Sequence, residues 1–309
     1  MHTHPHHDHA LHALTGDKGY VRAVRKILVL ILGLNWLVAI LKLVFGYLIN
    51  STSMVADGYH SFADGASNIV GLLGMRIAGQ PMDEDHPYGH KKYETLASLI
   101  IAFLLFLVCL NLIHSGWERL RTKSAPEVNV WGFLVLGVTM LVNTGVMLYE
   151  SRRGRALGSD ILVADAMHTR ADLLTSFSVA IAFIGVKLGF PILDPLVAMV
   201  IAVFIAFSGF EILKGSSAVL CDTAAIDRRA IERLVMAIPE VRKCHRIRTR
   251  GRHDDIFIDL HVLLDDTMQL VQAHDLTVKI EDMIKKEFCG VSDVVVHVEP
   301  LSSETHHDD

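Results

Sequence analysis

Asp165-Ala-Met-His168-Thr-Arg-Ala-Asp172 interrupts an otherwise apolar run, and Ala56-Asp-Gly-Tyr-His60-Ser-Phe-Ala-Asp64 interrupts an earlier one. In an α-helix, residues four apart share a face, so His60 with Asp64 and His168 with Asp172 each form half of a metal site. Ionisable groups at membrane depth cost about 2.5–3.5 kcal/mol each on insertion scales and mark ion or proton pathways. The two pairs together predict an α-helical membrane protein that handles a metal ion.

Apolar runs long enough to span a bilayer need about 20 residues. Six candidates fall at 24–48, 52–78, 95–117, 129–150, 160–187 and 191–213. The first carries Asn35 and Lys42, the second Asp57, His60 and Asp64, and the fifth Asp165, His168, Arg170 and Asp172. Such residues are expected to face a bundle interior or a water-filled cavity. Lys42 and Arg170 have stems long enough to snorkel or to pair with a carboxylate. Asp57, two turns before Asp64 on nearly the same face, reads as a contact to a neighbouring helix or as a proton relay. Lys18, Arg22, Arg25 and Lys26, then Arg76, Lys91 and Lys92, then Arg152, Arg153 and Arg155 all fall on one side of a six-span chain. That side is expected to be cytoplasmic, with both termini on it, although Arg119, Arg121 and Lys123 run against the pattern.

The mean hydropathy is +0.38, yet the last third is densely charged. The predicted division is a His-rich tail (1–20), a six-helix membrane domain (21–214), a soluble α/β domain (215–300) and a C-terminal tail (301–309). The tail holds His2, His4, His6, His7, His9 and His12, and reads as a metal-collecting arm or a purification tag. Within the soluble part, a helix at 226–238 capped by Asp227 precedes strands at 244–250 and 256–263, a helix at 270–288 and a strand at 293–298. That order suits helices on one face of a three-stranded sheet. A net charge of −5 with no basic stripe argues against nucleic acid. Cys109, Cys221, Cys244 and Cys289 form no CxxC pair and read as structural, Cys244 being conspicuous beside His245.

Asp83-Glu-Asp-His86-Pro-Tyr-Gly-His90 places one carboxylate and two imidazoles in a short loop, a donor set suited to zinc with an open position, or else a solvated loop with chance histidines. The soluble domain adds His245, His261, His274, His297 and Glu299, with His297 and Glu299 on one strand face.

These runs, with Asp85-His-Pro-Tyr-Gly-His-Lys-Lys-Tyr-Glu94 and Val294-Val-Val-His-Val-Glu-Pro300, resemble the cation diffusion facilitators over about residues 20–300. The resemblance implies a homodimeric divalent-metal/proton antiporter of the bacterial inner membrane, with six membrane helices and a cytoplasmic metallochaperone-like (ferredoxin-like) domain. It implies a transport site of His60, Asp64, His168 and Asp172, a loop site of Asp83, His86 and His90, and a cytoplasmic binuclear site of His245, His261, His274 and His297. Glu299 stands where bacterial zinc exporters usually have aspartate. Lys92 and Asp222 match a charge interlock between the two domains.

Two imidazoles and two carboxylates make a tetrahedral set favoured by zinc, though Cd2+, Co2+, Fe2+ and Ni2+ accept similar ligands. Metal needs neutral histidine and ionised aspartate, so binding releases protons and protonation releases metal. An HExxH motif is absent, which removes the usual metalloprotease reading. A passive channel, an Fe2+-selective transporter and a non-transporting metal sensor remain, and a sensor has no need of ionisable pairs inside two spans.

Overall fold

The computed structural model describes residues 17–48, 52–122, 130–187 and 193–302. The His-rich N-terminal residues and the last seven residues lie outside them, as do the side chains of residues 52–60, 63 and 64. All six apolar runs are helical: α1 (Asp17–Leu48), α2 (Thr52–Ala78), α3 (Lys92–Thr122), α4 (Val130–Leu157), α5 (Asp160–Lys187) and α6 (Leu193–Leu220). Then follow α7 (Arg228–Val235), β1 (Lys243–Arg252), β2 (Asp255–Leu264), α8 (Leu270–Glu287) and β3 (Val291–Pro300). The chain divides into two compact units at Ser216/Ser217, and each is described by itself.

In the helical unit the backbone of α1 runs beside α2, α5 beside α4, and α3 beside both α2 and α5. Val24, Leu28 and Ile31 of α1, Met75 of α2, Ile101 of α3, Val146 of α4 and Ile161 of α5 share one core. Close approach depends on small residues on α2: a Cβ at Gly71 would meet Ile161 Cγ2 at 2.9 Å, and one at Gly74 would run into the Ala97 methyl. A second core joins Leu105 and Cys109 of α3 to Ala202 and Ile205 of α6, and the Cys109 thiol donates to the Ala202 carbonyl at 3.2 Å.

Large apolar side chains face outward, among them Leu37, Leu41, Phe45, Phe103, Leu110, Phe204 and Phe207. In water such a surface would be prohibitive, whereas lipid accepts it. Among the described residues, three helices are long and apolar enough to cross a membrane, in α1, α3 and α6. Polar and charged residues dilute α2, α4 and α5, and several of those turn inward: Ser67, Asn68, Glu150, Asp165 and His168 are buried. Lys42 does not snorkel. It is buried and its ammonium donates to Ser61 Oγ on α2 at 2.7 Å, whereas Arg170 is exposed.

In the second unit Asp227 caps α7, accepting from the Arg229 N–H at 3.1 Å. The sheet order is β1-β2-β3, β1 antiparallel and β3 parallel to β2. Along β2, Ile256, Ile258, Leu260 and Val262 are buried with Ile231 and Val235 of α7 and Leu276, Ile280 and Ile284 of α8. The intervening Phe257, Asp259 and His261 project from the opposite face, as the two-residue period of a strand requires. Cys244 belongs to the buried face, away from His245, and burial pushes its thiol up to about 11. It is therefore a packing residue with little thiolate to offer a metal. None of the four cysteines forms a disulfide.

Candidate metal centres

The soluble unit assembles its cluster through strand register. His245 pairs with His261 across the antiparallel ladder, and His261 pairs with His297 across the parallel one, so three imidazoles form a row over the sheet. A register shift between His245 and Arg248, with Arg246 at φ 47°, lets β1 keep Cys244, Ile247 and Thr249 in the core while presenting His245 to the other face. Glu299, two residues beyond His297, closes the row. Its Oε1 lies 2.7 Å from His261 Nδ1, its Oε2 lies 3.0 Å from His245 Nε2, and His297 Nε2 stands 3.8 Å from Oε1. The hydrogen bond from His261 holds the Glu299 carboxyl below its ordinary value, opposed by burial and reinforced by His245.

Donors sharing one tetrahedral zinc at about 2.05 Å stand about 3.3 Å apart. His245, His261 and Glu299 each offer one ligand atom within 4.8 Å of the other two and therefore fit one ion with little movement. Glutamate in place of aspartate does not keep the carboxylate out of reach. His274 is not part of this group: it is exposed, the fifth residue of α8.

The loop between α2 and α3 holds a second group whose donors also lie within 4.8 Å of one another. Asp83 Oδ1 accepts from the His86 backbone N–H at 2.7 Å and faces His86 Nδ1 at 3.2 Å, while Asp83 Oδ2 faces His90 Nε2 at 3.4 Å. The backbone bond to His86 holds the Asp83 carboxyl below its ordinary value, against burial, with His86 and His90 adding to the effect. His90 is buried, and its Nδ1–H donates to the Pro81 carbonyl at 3.1 Å, which leaves Nε2 as the ligand atom. Tyr93 Oη lies 3.3 Å from His86 Nε2 and its ring stacks on His90, so it braces both imidazoles. Tyr93 and Pro81 were not singled out from the sequence. The only hint was their nearness to the histidines, because second-shell roles depend on how the loop turns.

The helical unit offers a third place. His168 Nε2 stands 4.0 Å from Asp172 Oδ2 on α5, and His168 is buried with Nδ1 lacking a hydrogen-bond partner. Both residues line a cavity of about 20 Å3 with Asn35, Val38 and Lys42 of α1, Ser61 and Ser67 of α2, Asn143 of α4 and Thr169 of α5. Such a space takes about one water molecule. Asp57, His60 and Asp64 lie on α2, the helix that contributes Ser61 and Ser67, but their side chains are outside the described residues. Lys92 opens α3 and Asp222, at φ 53°, follows α6; they belong to different units.

The cation efflux transmembrane domain matches residues 28–221, and the cation efflux protein cytoplasmic domain matches residues 224–301. The chain belongs to the cation diffusion facilitator family. It is thus a divalent-metal efflux transporter, not an enzyme, with a transmembrane domain followed by a cytoplasmic one. Among its relatives, the manganese efflux system protein MneS of Bacillus subtilis is 30% identical over 268 residues, covering 85% of this chain and 91% of that protein. The cation-efflux pump FieF of Pectobacterium carotovorum subsp. carotovorum is 33% identical over 260 residues, 82% of this facilitator and 85% of the pump. Among solved structures, the metal-bound C-terminal domain of the CzcD transporter from Thermotoga maritima is 33% identical, spans 25% of this chain and 95% of that one, and gives a TM-score of 0.23.

Two polar networks in the helical unit join residues whose partners the sequence does not indicate. Glu94, buried at the start of α3, accepts from Tyr20 Oη of α1 at 2.8 Å and from Ser159 Oγ, just before α5, at 2.7 Å. Asn35, Asn68, Asp165, Glu150 and Thr169 form a chain across α1, α2, α5 and α4. Glu150 closes the fourth apolar run and so reads from sequence as a flank; only the crossing of α4 and α5 shows that it points inward.

Proposed function

We propose that this facilitator is a metal/proton antiporter that exports Zn2+ from the cytoplasm across the inner membrane. Six spans with both termini cytoplasmic would carry His60, Asp64, His168 and Asp172 as the transport site. The observation that carries the reading is the buried His168 beside the partly buried Asp172 on a small polar cavity, with one imidazole nitrogen unpartnered among the described residues. A buried imidazole left without a partner is costly unless a ligand or proton completes it.

Metal displaces protons from the imidazoles on entry, and protons arriving from the far side release it, so the proton gradient drives export as the helices alternate access. The loop site, Asp83, His86 and His90, would receive metal at the membrane surface. The cytoplasmic residues His245, His261, His274, His297 and Glu299 would sense it, tightening a homodimer when metal is abundant. Lys92 and Asp222 would form the charge interlock between the two domains, and Asp57 a relay on α2. Cd2+, Co2+, Fe2+ and Ni2+ are secondary cargoes on ligand chemistry. Mn2+ belongs in the panel too, because a 30%-identical relative is named for manganese efflux.

Proteoliposomes that report metal uptake and internal pH together test this. Zinc flux with opposite proton movement supports antiport; zinc flux without it makes the protein a channel. Greater flux with Fe2+ or Mn2+ than with zinc would reassign the cargo.

A further inference from the structure

Two buried acids have no part in the metal-binding scheme. Glu150 on α4 is 0% exposed, Asp165 on α5 is 1% exposed, and their side chains interact across the helix contact. Each keeps one buried oxygen, Glu150 Oε1 and Asp165 Oδ1, without a hydrogen-bond donor. Their other oxygens are served: Asn68 Nδ2 donates to Asp165 Oδ2, and Asn68 Oδ1 accepts from Asn35 Nδ2 at 3.0 Å. Thr169 Oγ1 lies 3.3 Å from Glu150 Oε2 and 3.2 Å from the Asp165 carbonyl, and its single hydrogen serves one of them at a time.

Among the described residues, the surrounding helices bring no cation into an ion pair with either carboxyl. Lys42 of α1 is buried but donates to Ser61 on α2, and the residue that α2 brings to Asp165 is the neutral Asn68. On α3, the buried Glu94 binds Tyr20 and Ser159. Arg152 and Arg153 of α4 and Arg170 of α5 are exposed, while His168 and Asp172 face each other farther along α5. Among the described residues, neither acid forms a salt bridge.

Two ionised carboxylates in contact, neither paired with a cation, repel one another. A single proton turns the contact into a charge-assisted O–H···O bond and completes the unserved oxygens. We infer that Glu150 and Asp165 form a one-proton site whose proton is released when a divalent metal occupies the His168/Asp172 position. Asp165 and His168 are three residues apart on one helix, so their Cβ atoms lie about 5–6 Å apart. At that range, in a medium of low dielectric constant, a doubly charged ion strongly favours the ionised pair. Thr169 offers the exit, since it reaches Glu150 and lines the same cavity as His168 and Asp172.

The inference rests on His168/Asp172 as the place where metal binds. The test is zinc addition to the detergent-solubilised full chain, read by infrared difference spectra and by proton release in weak buffer. In wild type, zinc should abolish a protonated-carboxyl C=O band. Glu150→Gln should lack that band and release about one fewer proton per chain at zinc saturation. Asp165→Asn should behave the same way, which keeps the test alive if one variant misfolds. A wild type with no zinc-sensitive carboxyl band, or a band and proton count unchanged in both variants, overturns the proton site. A band that still responds fully to zinc in His168→Ala would instead overturn the metal placement while leaving the shared proton in place.

Discussion

The cytoplasmic cluster and the α5 pair use the same kinds of ligand in opposite settings. On the sheet, Glu299 already stands 2.7 Å and 3.0 Å from two imidazoles, at the edge of a partly exposed face. In the bundle, His168 and Asp172 are 4.0 Å apart beside a cavity the size of one water, with a buried nitrogen unpartnered. The first arrangement is preorganised to hold an ion; in the second the His168 and Asp172 donors, 4.0 Å apart, must draw closer before both can share one. A sensor gains from the former and a transporter from the latter, because cargo held by a rigid complete site leaves slowly. The loop site resembles the sheet: its donors are preset at 3.2–3.4 Å, and one imidazole is fixed by a backbone carbonyl.

The contrast breaks most visibly at Asp172. Even outer-shell partners of a metal ligand are worth roughly 10–100-fold, so Asp172→Ala should cut zinc flux in proteoliposomes by more than about 100-fold. Zinc bound at the sheet cluster of the same variant should keep its affinity. Flux within about threefold of wild type would remove α5 from the pathway.

A smaller effect is expected at Glu299. Glu299→Ala should weaken zinc binding to the cytoplasmic cluster by about 10–100-fold, measured by chelator competition on the full chain, and should leave transport slowed rather than abolished. Glu299→Asp decides whether side-chain length matters. The carboxylate spans from β3 to His245 on β1, so the shorter residue should lose the His245 contact first and bind with intermediate affinity.

Acid should erase part of this difference. The folded-state value of Glu299 is depressed, so its stabilising contribution is complete above the unfolded carboxylate value of about 4.3 and is lost as pH falls through the lower folded value. Metal-free wild type should therefore melt above Glu299→Gln near neutral pH, and the gap should close below about pH 4. A gap that widened on acidification would mean that the carboxylate does not gain its stability from the imidazoles.

These contrasts also show what could be read before any coordinates existed. The i, i+4 spacing of His168 and Asp172 forces them onto one helix face, and the alternation along β2 forces His261 away from Ile258, Leu260 and Val262; both follow from local periodicity. Register between elements does not. The row of His245, His261 and His297 depends on a shift between His245 and Arg248, and the Glu150/Asp165 contact depends on how α4 crosses α5. His274 has no such register to place it: it is grouped with the others by chemistry, and its helix leaves it exposed.

The smallest effect is expected where a preset site is loosened without losing a ligand. Tyr93→Phe removes the hydroxyl near His86 Nε2 but keeps the ring stacked on His90. His86 presents Nδ1 to Asp83, so the orientation of its ring depends on what meets its other nitrogen. His90 has an independent brace in the Pro81 carbonyl. The variant should therefore weaken loop-site zinc affinity by about tenfold at most, against a larger loss for His90→Ala. Chelator competition on the full chain, with the cytoplasmic cluster silenced by Glu299→Ala, separates the two. If Tyr93→Phe costs as much as His90→Ala, the tyrosine is more than a brace and the loop site is less preset than its distances imply.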